Sequence, residues 1–164
     1  MQIVRATPED ADALTKIAFD AKRSWDYPES WIEGWRDILT IGAEFIAANA
    51  AYVAIENGRP VGFYLLTMEI DDIHLDHLWV LPAAMHRGIG RSLFEHAVAQ
   101  TRTLGFRLIK IEADPNAEGF YERMGARRIG SNVTEVAGNR RELPLLVLEL
   151  DGARGKWSSG VMVR

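Results

Sequence analysis

The sequence predicts an α+β domain in which helices flank a mixed, largely antiparallel central sheet. Two apolar runs on either side of Asn57-Gly58 indicate an antiparallel hairpin, because this dipeptide supplies the positive φ angles that a tight turn needs. A glycine-spaced turn, residues 86–91, joins a strand to an amphipathic helix, and a further strand follows that helix. The order of elements therefore mixes antiparallel and parallel pairing, which is typical of the α+β class.

Length and composition limit the functional classes open to this chain. Its 164 residues, 48% of them hydrophobic, suit one domain with a core, which we expect to span residues 1–150. The Gly-, Ser- and Arg-containing stretch 151–164 predicts a loose, flexible C-terminal tail. A net charge of −4 and the lack of a membrane-length apolar run predict no nucleic-acid and no membrane partner. The sequence has no cysteine, which excludes an acyl-cysteine intermediate within it and fits the cytoplasmic location that we expect.

The first predicted elements are a short strand, residues 2–5, and a helix. Thr7-Pro8-Glu9-Asp10 indicates the helix start, with a hydroxyl N-cap, a proline in the first turn and two acidic side chains. The apolar residues that follow share one helical face: Leu14, Ile17, Ala18 and Ala21. This face is expected to lie against the sheet.

An aromatic stretch, residues 24–35, follows this helix and contains a proline that can open a second helix. Trp31 and Trp35 are spaced i, i+4, so we expect them to pack in the core. Trp25 and Tyr27 lie in the connection, where packing and ligand binding are equally good explanations.

Three strands are predicted next, over residues 51–56, 61–68 and 74–81. In the third, strict alternation places two sets of side chains on opposite faces: Asp76, Leu78 and Val80 on one, His77 and Trp79 on the other. The chain then continues with the helix after the glycine turn, a strand at 107–112, a short helix at 116–124 that ends at a glycine, and strands near 127–133 and 142–150.

The glycine turn is suited to an anion, because backbone N–H groups at a helix start point outward at its positive end. One interpretation is a dinucleotide-binding fingerprint, in which Gly88-x-Gly90 opens the helix and Glu112 ends the next strand. Against it, Leu93 stands where glycine or alanine is expected, and the chain leaves no room for a doubly wound parallel sheet. A P-loop is excluded, because no Gly-Lys-Ser/Thr follows.

Two motifs together resemble those of the GCN5-related N-acetyltransferase (GNAT) superfamily. Val80-x-Pro82 and the loop ending His86-Arg87-Gly88-Ile89-Gly90-Arg91 resemble its pyrophosphate-binding motif, and Ala117-x-x-Phe120-Tyr121-Glu122-Arg123-Met124-Gly125 resembles its second signature. Their order and separation match over roughly residues 2–150. The resemblance implies the acyl-CoA N-acyltransferase fold, one N-acetyltransferase domain and acetyl-CoA as cosubstrate. Without cysteine, direct attack by a primary amine in a ternary complex is favoured over a ping-pong route.

The resemblance also implies which residues bind acetyl-CoA. The pyrophosphate would meet the N–H groups of six consecutive residues: His86, Arg87, Gly88, Ile89, Gly90 and Arg91. The two arginines could add charge-assisted hydrogen bonds. The pantothenate arm would pair with the backbone of three strand residues: Leu78, Trp79 and Val80. Asn116 would reach the pantetheine, although capping its own helix explains it equally well, and Asp114 stands where the second signature often has asparagine.

Acetyl transfer to an amine needs a path for the amine proton and an acid for the departing thiolate. Tyr121 matches the family's general acid. Asp76 lies where some members carry a glutamate base, and its shorter side chain favours a water relay. His77 and His74 are alternative bases with ordinary pKa values closer to neutral pH. We expect no metal, because only His74 and Asp76 share a strand face and no third ligand is evident.

The acceptor in this fold usually enters between the helical pair and the sheet. Four residues are therefore candidates for an aromatic and acidic mouth that suits a cationic amine: Trp25, Tyr27, Asp71 and Asp72. A solvated acidic loop over a packed aromatic cluster explains them equally well. The expected partner is a small-molecule or peptide amine, and the sequence leaves a homodimer open. A non-catalytic acetyl-CoA-binding module is the alternative function.

Overall fold

The computed structural model describes residues 1–150, and the predicted tail, residues 151–164, lies outside the described residues. Seven strands are present in that range: β1 Gln2–Arg5, β2 Ala50–Glu56, β3 Arg59–Met68, β4 Ile73–Val80, β5 Leu108–Glu112, β6 Arg127–Val136 and β7 Asn139–Glu149. The α-helices of the same range are α1 Ala11–Arg23, α2 Glu29–Gly34, α3 Arg36–Leu39, α4 Ala43–Ala48, α5 Ile89–Thr103 and α6 Glu118–Arg123. No helix between residues 1 and 150 has the length and apolar composition to cross a bilayer.

The strands form one sheet in the order β1-β2-β3-β4-β5-β7-β6. All neighbouring pairs are antiparallel except β4 and β5, which are parallel and joined through α5. The predicted β2–β3 hairpin turns at Asn57 (φ 51°) and Gly58 (φ 73°), both in the left-handed region. The mixed, largely antiparallel sheet with flanking helices confirms the predicted fold class.

Several elements differ in length from the prediction. The region before the hairpin holds four α-helices, and the backbone leaves helical geometry at Trp35, between α2 and α3, and again at Thr40, before α4. Trp35 is buried and Trp31 half-buried, in a cluster of stacked and edge-on rings. Strands β6 and β7 are longer than predicted and meet in a tight turn at Ala137-Gly138, where both residues have positive φ.

A β-bulge in β4 changes the predicted pattern of faces. Leu65 of β3 pairs with His77 and Leu66 pairs with Leu75, so Asp76 has no partner on β3. An extra residue in one strand shifts the alternation by one position. Leu75 and Val80 therefore pack in the same core, whereas His77 contacts Phe63 in the opposite one. The predicted alternation holds for residues 77–80, with Leu78 and Val80 at one core and Trp79 at the other, and it breaks before the bulge because alternation assumes an unbroken strand.

Apolar cores lie on both faces of the sheet. One core packs α5 and α6 against the sheet and includes Leu93, Phe94 and Tyr121. The other packs α1 to α4 against the opposite face and includes Leu14, Ile32 and Phe63. The sheet is thus covered on both sides, and β4, with residues in both cores, runs through the middle of the molecule.

Candidate active site

β4 and β5 separate toward their C-terminal ends. Their paired register joins His74 to Lys110, and in the described chain residues 75–80 of β4 have no partner on β5. Backbone N–H and C=O groups along this edge of β4 are left for another partner. An extended ligand chain could pair there as an added strand. The opening between the two strands is the candidate cleft.

The glycine turn presents consecutive free backbone donors beside this cleft. No described residue accepts a hydrogen bond from the N–H groups of residues 86–91, and the next amide, that of Ser92, donates to the Gly88 carbonyl oxygen at 3.0 Å. His86 (φ 60°) and Gly88 (φ 81°) are both left-handed, a backbone pattern that forms anion-binding concavities. The 15-residue helix α5 adds the positive end of its dipole. This arrangement fits a phosphate or diphosphate group.

Gly90 lies against the residues that frame the cleft. A Cβ at Gly90 would lie 3.7 Å from Val80 on β4 and from Phe120 on α6, so a longer side chain would enter the space between them. Arg87 is paired with Glu56 at 2.7 Å, and Arg91 with Glu95 at 2.8 Å. Both pairs are at least partly exposed and such pairs are weak, so the arginines are available to an incoming phosphate.

Tyr121 projects from α6 into the core under the cleft, where its ring contacts Phe94 and Phe120. The residue is buried, but its hydroxyl is not among the fully buried polar atoms of residues 1–150 and forms no hydrogen bond to another described residue. Burial raises the pKa of this phenol well above its ordinary value, because it disfavours the charged phenolate. Tyr121 therefore keeps an O–H group to donate at neutral pH.

The candidate bases lie in different surroundings. Asp76 is exposed on the bulge, without a hydrogen bond or ion pair to any described residue. His77 is buried, and its Nδ1 accepts a hydrogen bond from Trp79 Nε1 at 3.0 Å. Burial lowers the pKa of His77, although the charge of Asp76 opposes this effect. The geometry thus leaves Asp76 open to water and makes His77 a neutral residue of the α4-side core.

An aromatic wall lines the α1 side of β4. Trp79 of β4 lies 5.9 Å from Trp25, measured between ring centroids, and both residues are half-buried. Tyr27 stacks on Trp31 at 5.6 Å. Lys22 Nζ lies 5.7 Å from the Trp25 centroid and 5.2 Å from that of Tyr27, so these two predicted acceptor residues lie close together near the end of β4.

Behind this wall is a buried polar network that the sequence reasoning missed. Asp114, just after β5, accepts hydrogen bonds from Lys22 Nζ at 2.7 Å, from the Tyr27 hydroxyl at 2.9 Å and from Arg141 at 3.2 Å. The Lys22 ammonium also lies 3.9 Å from the ring centroid of Trp35. Lys22 continues the i, i+4 series of Leu14 and Ala18 on the apolar face of α1, which was the available signal in the sequence. Arg141 gave no such signal.

The charged groups of this network change each other's pKa values. Burial would raise the pKa of Asp114, but the neighbouring Lys22 and several hydrogen bonds outweigh burial and hold that pKa below its ordinary value. Burial lowers the pKa of Lys22 against the opposing charge of Asp114. Burial, and then Asp114, raise the pKa of Tyr27 to about 12. Asp114 is therefore ionised and Tyr27 protonated at neutral pH.

Asn116 and the acidic loop occupy separate positions. The Asn116 side-chain amide donates to the Tyr27 hydroxyl at 2.9 Å and to Asp114 at 3.0 Å, which leaves its carbonyl oxygen for a ligand.

The two acidic candidates lie just before β4: Asp71 is exposed, and Asp72 is paired with Lys110 at 2.7 Å. Trp25 contacts the other end of β4, so the structure does not bring the aromatic and acidic candidates together. Glu69, Asp72 and His74 approach one another within 4.8 Å, but Lys110 already neutralises Asp72.

Comparison with known proteins identifies the family. The model of the Acetyltransferase (GNAT) family matches residues 13–126. The chain belongs to this family. It is 35% identical over 151 residues to peptidyl-lysine N-acetyltransferase YjaB of Salmonella typhimurium strain LT2. The aligned region makes up 90% of this chain and 97% of that relative. The suspected resemblance is thereby confirmed, and the chain is an acyltransferase of the GNAT type.

Solved structures of GNAT acetyltransferases share its fold. A GCN5-related N-acetyltransferase from Rhodopseudomonas palustris matches with a TM-score of 0.78 at 23% identity, over 91% of this chain and 95% of that one. PaiA N-acetyltransferase from Thermoplasma acidophilum, solved in complex with coenzyme A, matches with a TM-score of 0.72 at 18% identity, over 90% and 98% of the two chains. At these identities the likeness supports the GNAT fold alone.

Proposed function

We propose that this GNAT acyltransferase moves the acetyl group of acetyl-CoA to a primary amine, and that the acceptor amine is a lysine side chain of a peptide or protein. The row of free N–H groups at the start of α5 carries the donor half of this proposal. The name of the Salmonella relative, a peptidyl-lysine N-acetyltransferase, supports the acceptor half.

The donor would be held at two places. The N–H groups of residues 86–91 bind the pyrophosphate, with Arg87 and Arg91 as mobile counter-charges. The pantetheine arm pairs with the free edge of β4 at Leu78, Trp79 and Val80, and the open carbonyl oxygen of Asn116 accepts from one of its amides. Acetyl-CoA supplies the activated thioester; the chain supplies position and proton transfer.

The catalytic roles follow from the surroundings of two side chains. Tyr121, a buried phenol with an unused O–H, donates to the sulfur that leaves as a thiolate. Asp76, exposed and unpaired on the bulge, accepts the amine proton through water. Since the sequence has no cysteine to form an acyl-enzyme, the amine attacks the thioester directly in a ternary complex.

The acceptor would approach along the aromatic wall. Trp25 and Tyr27 offer apolar ring faces, against which the methylene stem of a lysine packs while its amine points into the cleft. Asp71 and Asp72 lie at the other end of β4, where they suit a distant basic residue of a peptide better than the reacting amine.

Binding of the donor is the first experiment. Calorimetry compares acetyl-CoA, CoA and NAD on the wild type, on Gly90→Glu and on Gly42→Glu. The Gly90 variant places a carboxylate between Val80 and Phe120, and we expect affinity for CoA species to fall about 100-fold or more through steric and like-charge repulsion. Gly42 has open space around it, so Gly42→Glu is the matched control. Binding of NAD in place of CoA species would contradict the proposal.

Transfer is tested on a synthetic peptide set with blocked termini and one internal lysine, and on the same peptides with arginine at that position. We expect release of free CoA thiol and an acetylated lysine by mass spectrometry with the first set alone. Thiol detection has no background from this sequence, because it lacks cysteine. Tight CoA binding without transfer to any lysine peptide would retain the donor site and reject the lysine acceptor.

A further inference from the structure

One carboxylate, that of Asp114, joins the acceptor wall to the region that precedes Tyr121. Its oxygen atoms accept from Lys22 Nζ, the Tyr27 hydroxyl, Arg141 and both the backbone and side-chain N–H groups of Asn116, at distances of 2.7 to 3.2 Å. The Tyr27 hydroxyl in turn accepts from Asn116 at 2.9 Å and from Arg141 at 2.8 Å. Asp114 and the Tyr27 hydroxyl are therefore each hydrogen-bonded to at least three other residues of this network.

The partners of Asp114 come from separate elements. Lys22 is in the last turn of α1, Tyr27 lies in the α1–α2 connection, and Arg141 belongs to β7. Asp114 and Asn116 lie in the β5–α6 connection, directly before the helix that carries Tyr121. The network thus spans from the acceptor wall on one side of the cleft to the candidate catalytic helix on the other.

The network is buried and electrostatically unbalanced. Lys22 is 7% and Arg141 8% exposed, and the side chain of Asp114 is 5% exposed. Two cations therefore share one carboxylate, and their remaining charge is faced by aromatic rings: Lys22 lies 5.7 Å from the Trp25 centroid and 5.8 Å from that of Trp79. Removing Asp114 would leave both cations buried without a counter-ion, which is costly.

We propose that Asp114 is a positioning residue for the acceptor: it holds Tyr27 and, through Lys22, Trp25 at the distance from α6 that lets an acceptor lysine reach the cleft. This inference rests on the proposed function, since it assumes that the amine enters along the aromatic wall. It assigns Asp114 no contact with the reacting atoms. Its effect falls mainly on the acceptor, because the pyrophosphate turn lies on a separate helix and Asn116 alone links the network to the proposed pantetheine contacts.

A purely structural role is the competing explanation, and the two differ in kinetics. A buried ion network is weak evidence for stability in itself, because well-packed apolar residues often serve as well. A structural role changes the melting temperature and the amount of active enzyme. A positioning role for the acceptor changes the KM for the acceptor much more than the KM for acetyl-CoA.

The experiment measures both KM values with the lysine peptides for wild type, Asp114→Asn, Tyr27→Phe and the double variant. Glu122→Gln, an exposed carboxylate-to-amide change on α6, is the matched control. We expect the acceptor KM to rise about tenfold in Asp114→Asn, as for loss of a buried charged partner, with the acetyl-CoA KM changed less than about twofold. Tyr27→Phe retains the ring and provides a milder variant if Asp114→Asn folds poorly.

The double variant distinguishes the network from direct contact of Tyr27 with the acceptor. If both residues act through one network, their effects on acceptor KM are non-additive, so the double variant resembles Asp114→Asn. Equal changes in both KM values, or a lowered melting temperature with unchanged KM values, would overturn the inference. If the wild type itself acetylates no lysine peptide, the proposed function fails, and the inference fails with it before any variant is measured.

Discussion

At the scale of single residues, Tyr121 shows how burial sets the ionisation state of a side chain. Its ring lies in an apolar core and its hydroxyl has no partner among residues 1–150, so the neutral form is strongly favoured. Among residues 1–150 its hydroxyl is not one of the fully buried polar atoms that lack a partner, so it is open to water or to a ligand. A developing thiolate at the cleft would provide the missing acceptor.

Replacing Tyr121 with Phe removes this O–H and retains the ring contacts with Phe94 and Phe120. We expect kcat with a lysine peptide to fall about 100-fold, as for loss of a general acid, with little change in melting temperature. Tyr64→Phe is the matched control: Tyr64 of β3 is also buried, but its hydroxyl forms a hydrogen bond with His96 Nδ1 of α5 at 2.7 Å. That variant should lose stability and retain kcat. Unchanged kcat in Tyr121→Phe would reject the acid role.

His77 makes stability depend on pH. Its folded-state pKa is lowered by burial, so protonation is easier in the unfolded chain than in the folded one. The stability this provides is present above the unfolded pKa, about 6.5, and is lost as pH falls toward the folded pKa. We therefore expect the melting temperature to drop between about pH 7 and pH 5, and His77→Gln to drop less steeply.

The control for this pH effect is His96→Gln, because burial lowers the pKa of His96 in the same direction. Each single variant should retain part of the fall in melting temperature between about pH 7 and pH 5. Identical slopes in wild type and His77→Gln would show that this histidine does not carry the dependence.

At the scale of elements, β4 positions most of the site. Its bulge isolates Asp76, its free edge faces β5, and its far end meets Trp25. Close packing fixes this strand from the other side. A Cβ at Gly62 of β3 would lie 2.9 Å from the Trp79 carbonyl oxygen and 3.0 Å from a Leu93 methyl group on α5.

We accordingly expect Gly62→Ala to lower the free energy of unfolding by about 1–3 kcal/mol, as in overpacked cores. Because the strain falls on β4 and α5 together, affinity for acetyl-CoA should fall as well. Gly130→Ala in β6 is the control, since a Cβ at Gly130 would meet no atom within 4 Å and a strand accepts alanine. Denaturant unfolding and calorimetry measure both effects; equal stability of the two variants would contradict the packing argument.

Features that depend on a few adjacent residues were predicted from the sequence, whereas features that depend on residues distant in the sequence were not. The Asn57-Gly58 hairpin and the glycine turn before α5 follow from backbone preferences of a few adjacent residues, and the structure contains both. The bulge at Asp76 arises from register with β3, which strict alternation cannot reveal. Asp114 meets Lys22 and Arg141, 92 and 27 residues away, so their network appears only in three dimensions.

At the scale of the whole molecule, the sheet divides the two proposed substrates. α5 and the glycine turn lie with one core, and the aromatic wall and α1 lie with the other. Only the opening between β4 and β5 connects these sides in the described part of the chain. A donor on one side and an acceptor on the other can therefore meet without either leaving first, which is the geometry that a ternary complex needs.

Donor binding across this opening should stabilise the entire fold. At a free acetyl-CoA concentration about 100 times Kd, linkage adds about 2.7 kcal/mol, or roughly 5–10 °C in Tm for a chain of this size. We expect that shift in thermal unfolding with acetyl-CoA and CoA, its loss in Gly90→Glu and its retention in Gly42→Glu. NAD at the same concentration should give no shift in Tm, because the strands on either side of the glycine turn and α5 belong to a mixed sheet and not to the doubly wound parallel sheet of a dinucleotide-binding domain. A Tm increase with NAD would favour the dinucleotide-binding interpretation of the glycine turn. A Tm increase with CoA species alone would support binding of the pyrophosphate at the N-terminus of α5.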